Sequence, residues 1–101
     1  MSNYLFGRKI RLTVTITSVA TGQKVDPDNL TLTIRNLKTN VRQAYVYGTD
    51  AGLAKSEVGT YYFDVIPEAS GYYAYRWSCT GTITDAVEDV YFIEPSQVIT
   101  T

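Results

Sequence analysis

The chain has 101 residues, 45% of them apolar, and nine basic against ten acidic residues give a formal net charge of −1. That is enough for one domain with its own core, and charges spread along the chain without a basic stripe argue against a nucleic-acid partner, because backbone binding needs clustered Lys and Arg. With no histidine and Cys79 as the one cysteine, there is no intrachain disulfide and no Ser-His-Asp or Cys-His nucleophile system, and neither a zinc site nor any cofactor is expected.

The opening "MSNYLFGRKIRL" has neither the basic-then-apolar layout of a secretory signal nor strict alternation. Residues 1–8 are therefore expected to be an N-terminal arm, ahead of a domain over 9–95. The first regular period is "KIRLTVTIT", in which Ile10, Leu12, Val14 and Ile16 alternate with Arg11, Thr13, Thr15 and Thr17. A period of two is a strand with one buried face. "SVATGQKVDPDN" is a turn region punctuated by Gly22 and Asp26-Pro27. "LTLTIRN" alternates again with Leu30, Leu32 and Ile34 on one face, "LKTN" turns the chain, and "VRQAYVYG" is a third strand ending at Gly48.

"TDAGLAKSEVG" reads as a loop or as a short edge strand near Leu53 to Glu57. "TYYFDVIP" points Tyr61, Phe63 and Val65 one way and Tyr62, Asp64 and Ile66 the other, and Pro67 stops it. "AVEDVYFIEP" closes the set, and Val87 with Phe92 suggests a bulge near Glu88-Asp89. The tail, residues 96–101, has no partner signal. Six strands and a seventh candidate, with turns between them, make an antiparallel sandwich or small barrel.

"SGYYAYRWSC" crowds aromatics around one arginine. On a strand, Tyr73, Tyr75, Trp77 and Cys79 point to one side and Tyr72, Ala74, Arg76 and Ser78 to the other. The first set is a core face, so the arginine lies on the opposite face from those aromatics. Tyr72 and Arg76 are candidates for partner binding, since Tyr and Arg dominate interface hot spots. Nine tyrosines, Tyr45, Tyr47 and Tyr62 among them, exceed what one small core needs. Tyr4, Leu5 and Phe6 are further candidates. Apolar residues on an arm stay ordered only when covered, so they either pack under their own sandwich or dock on an adjacent subunit, the second being preferred. Asp26, Asp28 and Asn29 supply too few oxygens for calcium and read as a turn. Asp85, Glu88 and Asp89 read as a solvated face or as edge protection. Short loops leave no cleft for a carboxylate pair, and no catalytic activity is expected.

The spacing Gly71-x-Tyr73-x-Tyr75 resembles immunoglobulin-type strand F. The resemblance makes Tyr73 the corner tyrosine that bonds back to the backbone near the turn, with Tyr75 where antibodies place cysteine. More widely, "VDPDNLTLTIRN", "YVYGTD", "VGTYYFDVIPEASGYYAYRWSCTG" and "VEDVYFIEPS", taken in order, resemble small immunoglobulin-like structural proteins of tailed bacteriophages and prophages, over about Lys9 to Ser96. The resemblance implies an immunoglobulin-like antiparallel β-sandwich of about seven strands. It implies a virion protein, assembled in the host cytoplasm and present in many copies. Its partners would be other virion proteins, the major capsid, portal or neck proteins, with homo-oligomeric assembly in the particle; no apolar stretch approaches the ~20 residues of a membrane span, so no membrane partner is expected. The resemblance supplies no catalytic residues. The alternative is an immunoglobulin-like adhesion or carbohydrate-binding module with exposed aromatics near its loop ends.

Overall fold

The computed structural model describes residues 2–98. Among them are eight strands and no helix: β1 (Ser2–Leu5), β2 (Ile10–Thr15), β3 (Thr31–Asn36), β4 (Arg42–Val46), β5 (Leu53–Glu57), β6 (Thr60–Val65), β7 (Gly71–Cys79) and β8 (Asp85–Glu94). They make a β-sandwich of two sheets, one of five strands in the order β1-β8-β7-β3-β4 and one of three in the order β2-β6-β5. Only β1 and β8 pair in parallel; the other strand pairs are antiparallel.

The alternation in the sequence decides which side of each strand is dry. β2 buries Ile10, Leu12 and Val14 and exposes Arg11, Thr13 and Thr15. Its register on β6 sets Ile10 against Val65, Leu12 against Phe63 and Val14 against Tyr61, so both strands turn one apolar face inward. The facing sheet contributes Leu32 from β3, Trp77 and Cys79 from β7, and Tyr91 and Ile93 from β8, all buried. Tyr73 and Tyr75 pack against this core half-buried. Each large side chain removed from water contributes about 1.5–3 kcal/mol.

The crossover between the sheets, residues 25–29, is tied to both. Asp26 Oδ1 accepts from the Gly59 N–H (2.9 Å) and the Tyr61 hydroxyl (3.0 Å), and its Oδ2 pairs with Lys55 Nζ at 2.7 Å. Asp28 Oδ2 accepts from the Thr82 N–H at 2.8 Å, and Asn29 Oδ1 from the Thr80 N–H at 3.0 Å. The stretch is an extended crossover with a bend at Asp28 rather than a tight turn, and its side chains serve as braces.

Three further expectations change. First, Ser2–Leu5 is a strand on the chain's own β8, not an arm reaching a neighbour, so the sheets hold eight strands rather than seven. Second, no bulge interrupts β8: its register with β7 runs unbroken from Gly71↔Ile93 to Cys79↔Asp85. Phe92 disturbs the apolar alternation because it sits on the outer face against Tyr72, with ring centroids 4.6 Å apart. The irregularity lies instead in β5, between Lys55 and Glu57, on the segment that turns out to be the edge strand. Third, fewer tyrosines are left over than expected: Tyr47 and Tyr72 stay exposed and Tyr62 lies on an outer face beside Arg11, while the other six sit in or against the core. Tyr45 stacks on Phe63 and Tyr47 meets Tyr61 edge-on, while Tyr4, Tyr73 and Tyr75 all contact Tyr91. Tail residues 99–101 lie outside the described residues.

Candidate functional site

Strand register places the outer face of the five-stranded sheet residue by residue. Tyr72 lies beside Phe92, and Asn3 of β1 continues that row. The next row is Val90, Ala74, Arg35 and Arg42; the one after it is Glu88, Arg76, Thr33 and Ala44. Leu5 is opposite Glu94 at the apolar end of the face and is 56% exposed. The structure therefore brings Leu5, Tyr72 and Arg76 to one face. Tyr4 and Phe6 lie on the other side of β1 and pack on the core; Tyr4 meets Tyr91 edge-on at 6.2 Å, and the Phe6 N–H donates to the Glu94 carbonyl at 2.9 Å.

Arg76 is joined by two arginines that sequence reasoning did not single out. Arg35 stands directly opposite Arg42 across the β3–β4 pair. The hairpin turn fixes that juxtaposition. Asn36 Oδ1 accepts from the N–H groups of Lys38 (2.9 Å) and Thr39 (3.2 Å), Asn40 takes a φ of 62°, and the Asn36 N–H donates to the Val41 carbonyl at 2.9 Å. Asparagine tolerates the left-handed region and its side chain closes such turns. The available signal was "TIRN-LKTN-VRQ" read as a hairpin, which pairs the two arginines once the turn is counted. The small side chains of Ala74 and Thr33 leave a shallow depression bounded by Arg35, Arg42, Arg76 and Glu88.

The charges here are less paired than those of the three-stranded sheet, though Arg8 and Lys38, outside the strands, likewise have no carboxylate partner among the described residues. On the three-stranded sheet, Arg11 makes a two-pronged contact with Asp64 at 2.8 and 3.1 Å and lies 4.0 Å from the centre of the Tyr62 ring. That contact holds the Asp64 carboxyl below the usual carboxylate range and raises the Arg11 guanidinium. Lys24 pairs with Glu57 and Lys55 with Asp26, and the Lys55 hydrogen bond is the first cause holding the Asp26 carboxyl low. On the five-stranded sheet Arg76 reaches Glu88 only at 3.5 Å. Among the described residues Arg35 and Arg42 have no carboxylate partner. Arg35 Nε is shielded from solvent and makes no hydrogen bond.

A second concavity, of about 380 Å³, opens between the sheets at the β3–β4 turn, lined by Ile34, Tyr45, Val65, Pro67 and Tyr73 among others. At its mouth the Tyr73 hydroxyl donates to the Ala69 carbonyl at 2.9 Å, the bond expected of a corner tyrosine. Burial raises the phenols of Tyr73 and Tyr91, which line it, and of Tyr75, packed against the core, above the usual tyrosine range. The described residues hold no group of three or more His, Cys, Asp or Glu placed to grip a metal ion. Cys79 is buried, and burial raises its thiol, which keeps it protonated at neutral pH.

Fold and surface together define an all-β sandwich with one charge-unbalanced, partly aromatic sheet face. No family model, curated protein or solved structure matches the chain.

Proposed function

We propose that the chain is a non-enzymatic, immunoglobulin-like docking module: a structural protein of a tailed-phage virion that binds other virion proteins in multiple copies through the outer face of its five-stranded sheet. The observation that carries the docking role is that face, where Arg35 and Arg42 have no carboxylate partner among the described residues and lie beside the exposed Tyr72 and the half-buried Phe92. Buried tyrosine and arginine anchors supply most of the energy at protein interfaces.

The strand order supports the immunoglobulin-like part. If β2 is lettered B, then β2-β6-β5 reads B-E-D and β8-β7-β3-β4 reads G-F-C-C′. The Tyr73–Ala69 bond supports it too. Two departures are that the tryptophan sits on β7 instead of strand C, and that Tyr75 stands where antibody domains place cysteine. The virion role draws on the sequence resemblance. A carbohydrate-binding module would need open rings at the loop ends, whereas Tyr45 and Tyr73 are packed against Phe63 and Tyr91.

Mass spectrometry and cryo-microscopy of purified particles test this reading. The protein should be present, with about 6 or 12 copies for a neck ring and hundreds for a capsid coat. A Tyr72→Asp chain that folds should fail to incorporate. Absence of the protein from mature particles would overturn the virion role.

A further inference from the structure

Resting on the docking role proposed above, we infer that Arg35, Arg42 and Arg76 form a seat for the carboxylate side chains of an acidic segment on a partner protein. Two observations converge on it. Arg35 and Arg42 oppose each other in register, and like charges directly across a strand pair destabilise it. Arg35 Nε–H is shielded from water with no acceptor, a state that costs folding free energy. The fold therefore bears two local costs at one place with no compensating contact, and such rule-breaking concentrates at functional sites. A carboxylate set between the guanidiniums neutralises the facing charges, and where the Arg35 side chain turns outward to meet it, it also accepts from the Nε–H that is otherwise left without a partner. Arginine's planar fork suits that two-pronged recognition.

Glu88 already occupies part of the seat, weakly. Its 3.5 Å contact with Arg76 joins side chains that are 53% and 64% exposed, and exposed pairs of this kind exchange readily. An incoming acid can displace it. The occupant is a protein segment and not a free ion, because the row next to the seat carries Tyr72 and Phe92, apolar surface that only a larger ligand covers. Nucleic acid fits poorly: Glu88 and Glu94 project from the same face, and the chain carries a net charge of −1.

The test uses the whole chain, a glutamate-rich peptide ending in an aromatic residue, and its glutamine counterpart, followed by NMR at the arginine Nε–H and backbone amide signals. The Arg35, Arg42 and Arg76 signals should move saturably with the glutamate peptide and not with the glutamine one. Arg35→Gln and Arg42→Gln should each weaken binding roughly tenfold or more, with melting temperatures equal to or above the parent's. Arg11→Gln, on the opposite sheet, should leave binding unchanged. Several results would overturn the seat: equal binding of the glutamine peptide, the same shifts from inorganic sulfate with no gain from the peptide, tighter binding of a phosphopeptide or oligonucleotide, or an Arg35-dependent dimer that excludes the peptide. The two readings fail separately. Particles that incorporate Arg35→Gln as well as the parent, yet reject Tyr72→Asp, keep the docking role and remove the seat. Peptide binding by a protein absent from particles keeps the seat and removes the virion role.

Discussion

Replacing Tyr73 by phenylalanine removes one oxygen and keeps the ring. That ring lies parallel to Tyr91, 5.2 Å between centroids and 9° between planes, so apolar packing is unchanged. What disappears is the bond from the Tyr73 hydroxyl to the Ala69 carbonyl, 2.9 Å long, which pins the β6–β7 turn to the start of β7. A hydrogen bond of this kind contributes about 0.5–1.5 kcal/mol net, and more where the stranded acceptor is dry. Ala69 is only half-buried, so water reaches its carbonyl and the loss belongs near ~1 kcal/mol. For a domain of this size that lowers the melting temperature by roughly 4–8 °C.

Thermal melts followed by far-UV circular dichroism read the shift. Urea titration should show a lower midpoint at an unchanged slope, since the surface exposed on unfolding is the same. Tyr72→Phe is the matched control, because that tyrosine sits on the outer face against Phe92 and its hydroxyl makes no hydrogen bond among the described residues. It should melt with the parent. If Tyr73→Phe also melts within a degree of the parent, the corner bond does not anchor the turn.

Trp77→Ala should cost about 3–5 kcal/mol, as large-to-small core changes do, and a variant with parental stability would disprove its place under both sheets. Trp77→Phe should cost much less than the lost volume suggests, because the indole Nε–H is buried without an acceptor and its removal relieves a penalty of about 1–3 kcal/mol; denaturant titration by circular dichroism compares the two. Gly59→Ala should leave little soluble protein: a Cβ there would stand 2.8 Å from the Ile16 carbonyl oxygen and 2.9 Å from the Val25 nitrogen, at a φ of +73°. Burial raises the phenols of Tyr61 (to about 12), Tyr73, Tyr75 and Tyr91. The unfolded chain therefore loses those protons first, and stability that is complete below about pH 10 falls as pH rises towards 12. The phenolate absorbance of these four should appear together with loss of the β signal, and their ionisation at ordinary tyrosine pH in a still-folded chain would refute this.

The sequence disclosed what period two can disclose. β2, β3, β6 and β7 each carry several β-branched or aromatic residues on one side, and their buried faces are the expected ones. β1 was invisible for two reasons. It is four residues long, and its partner is β8, almost the whole chain away and parallel, so no turn announces the pairing. The bulge assigned to β8 came from reading Phe92 as a core residue, and apolar content alone does not separate an outward aromatic pair from a register slip. Of the candidate contact residues, Tyr72 and Arg76 were legible from alternation along β7. Arg35 and Arg42 needed the hairpin register, and the shielding of Arg35 Nε needed coordinates.

The sheet edges indicate why a partner would meet the face. Among the described residues β1 pairs with Tyr91 to Glu94 of β8 and no strand pairs with the outer side of Asp85 to Val90. That segment holds Asp85, Glu88 and Asp89, and its N–H groups at Ala86 and Val90 are already taken by the Asp85 and Asp89 carboxylates at 2.8 and 2.7 Å. An incoming strand would find charge and occupied donors, the usual defence of an edge. At the border of the other sheet, β5 is kinked by its irregularity at Lys55/Glu57, which spoils a continuous ladder. On the outer face of β7, β3 and β4 the opposite holds. Small residues open a depression, an aromatic pair stands beside it, and two guanidiniums lack counter-charges among the described residues. Side-chain docking on that face satisfies groups the fold leaves unsatisfied, whereas strand addition at the β8 edge must first displace bonds the fold has made. An association that survived Arg42→Gln and Tyr72→Asp but was lost on Asp89→Lys would reverse this ordering and point to the β8 edge.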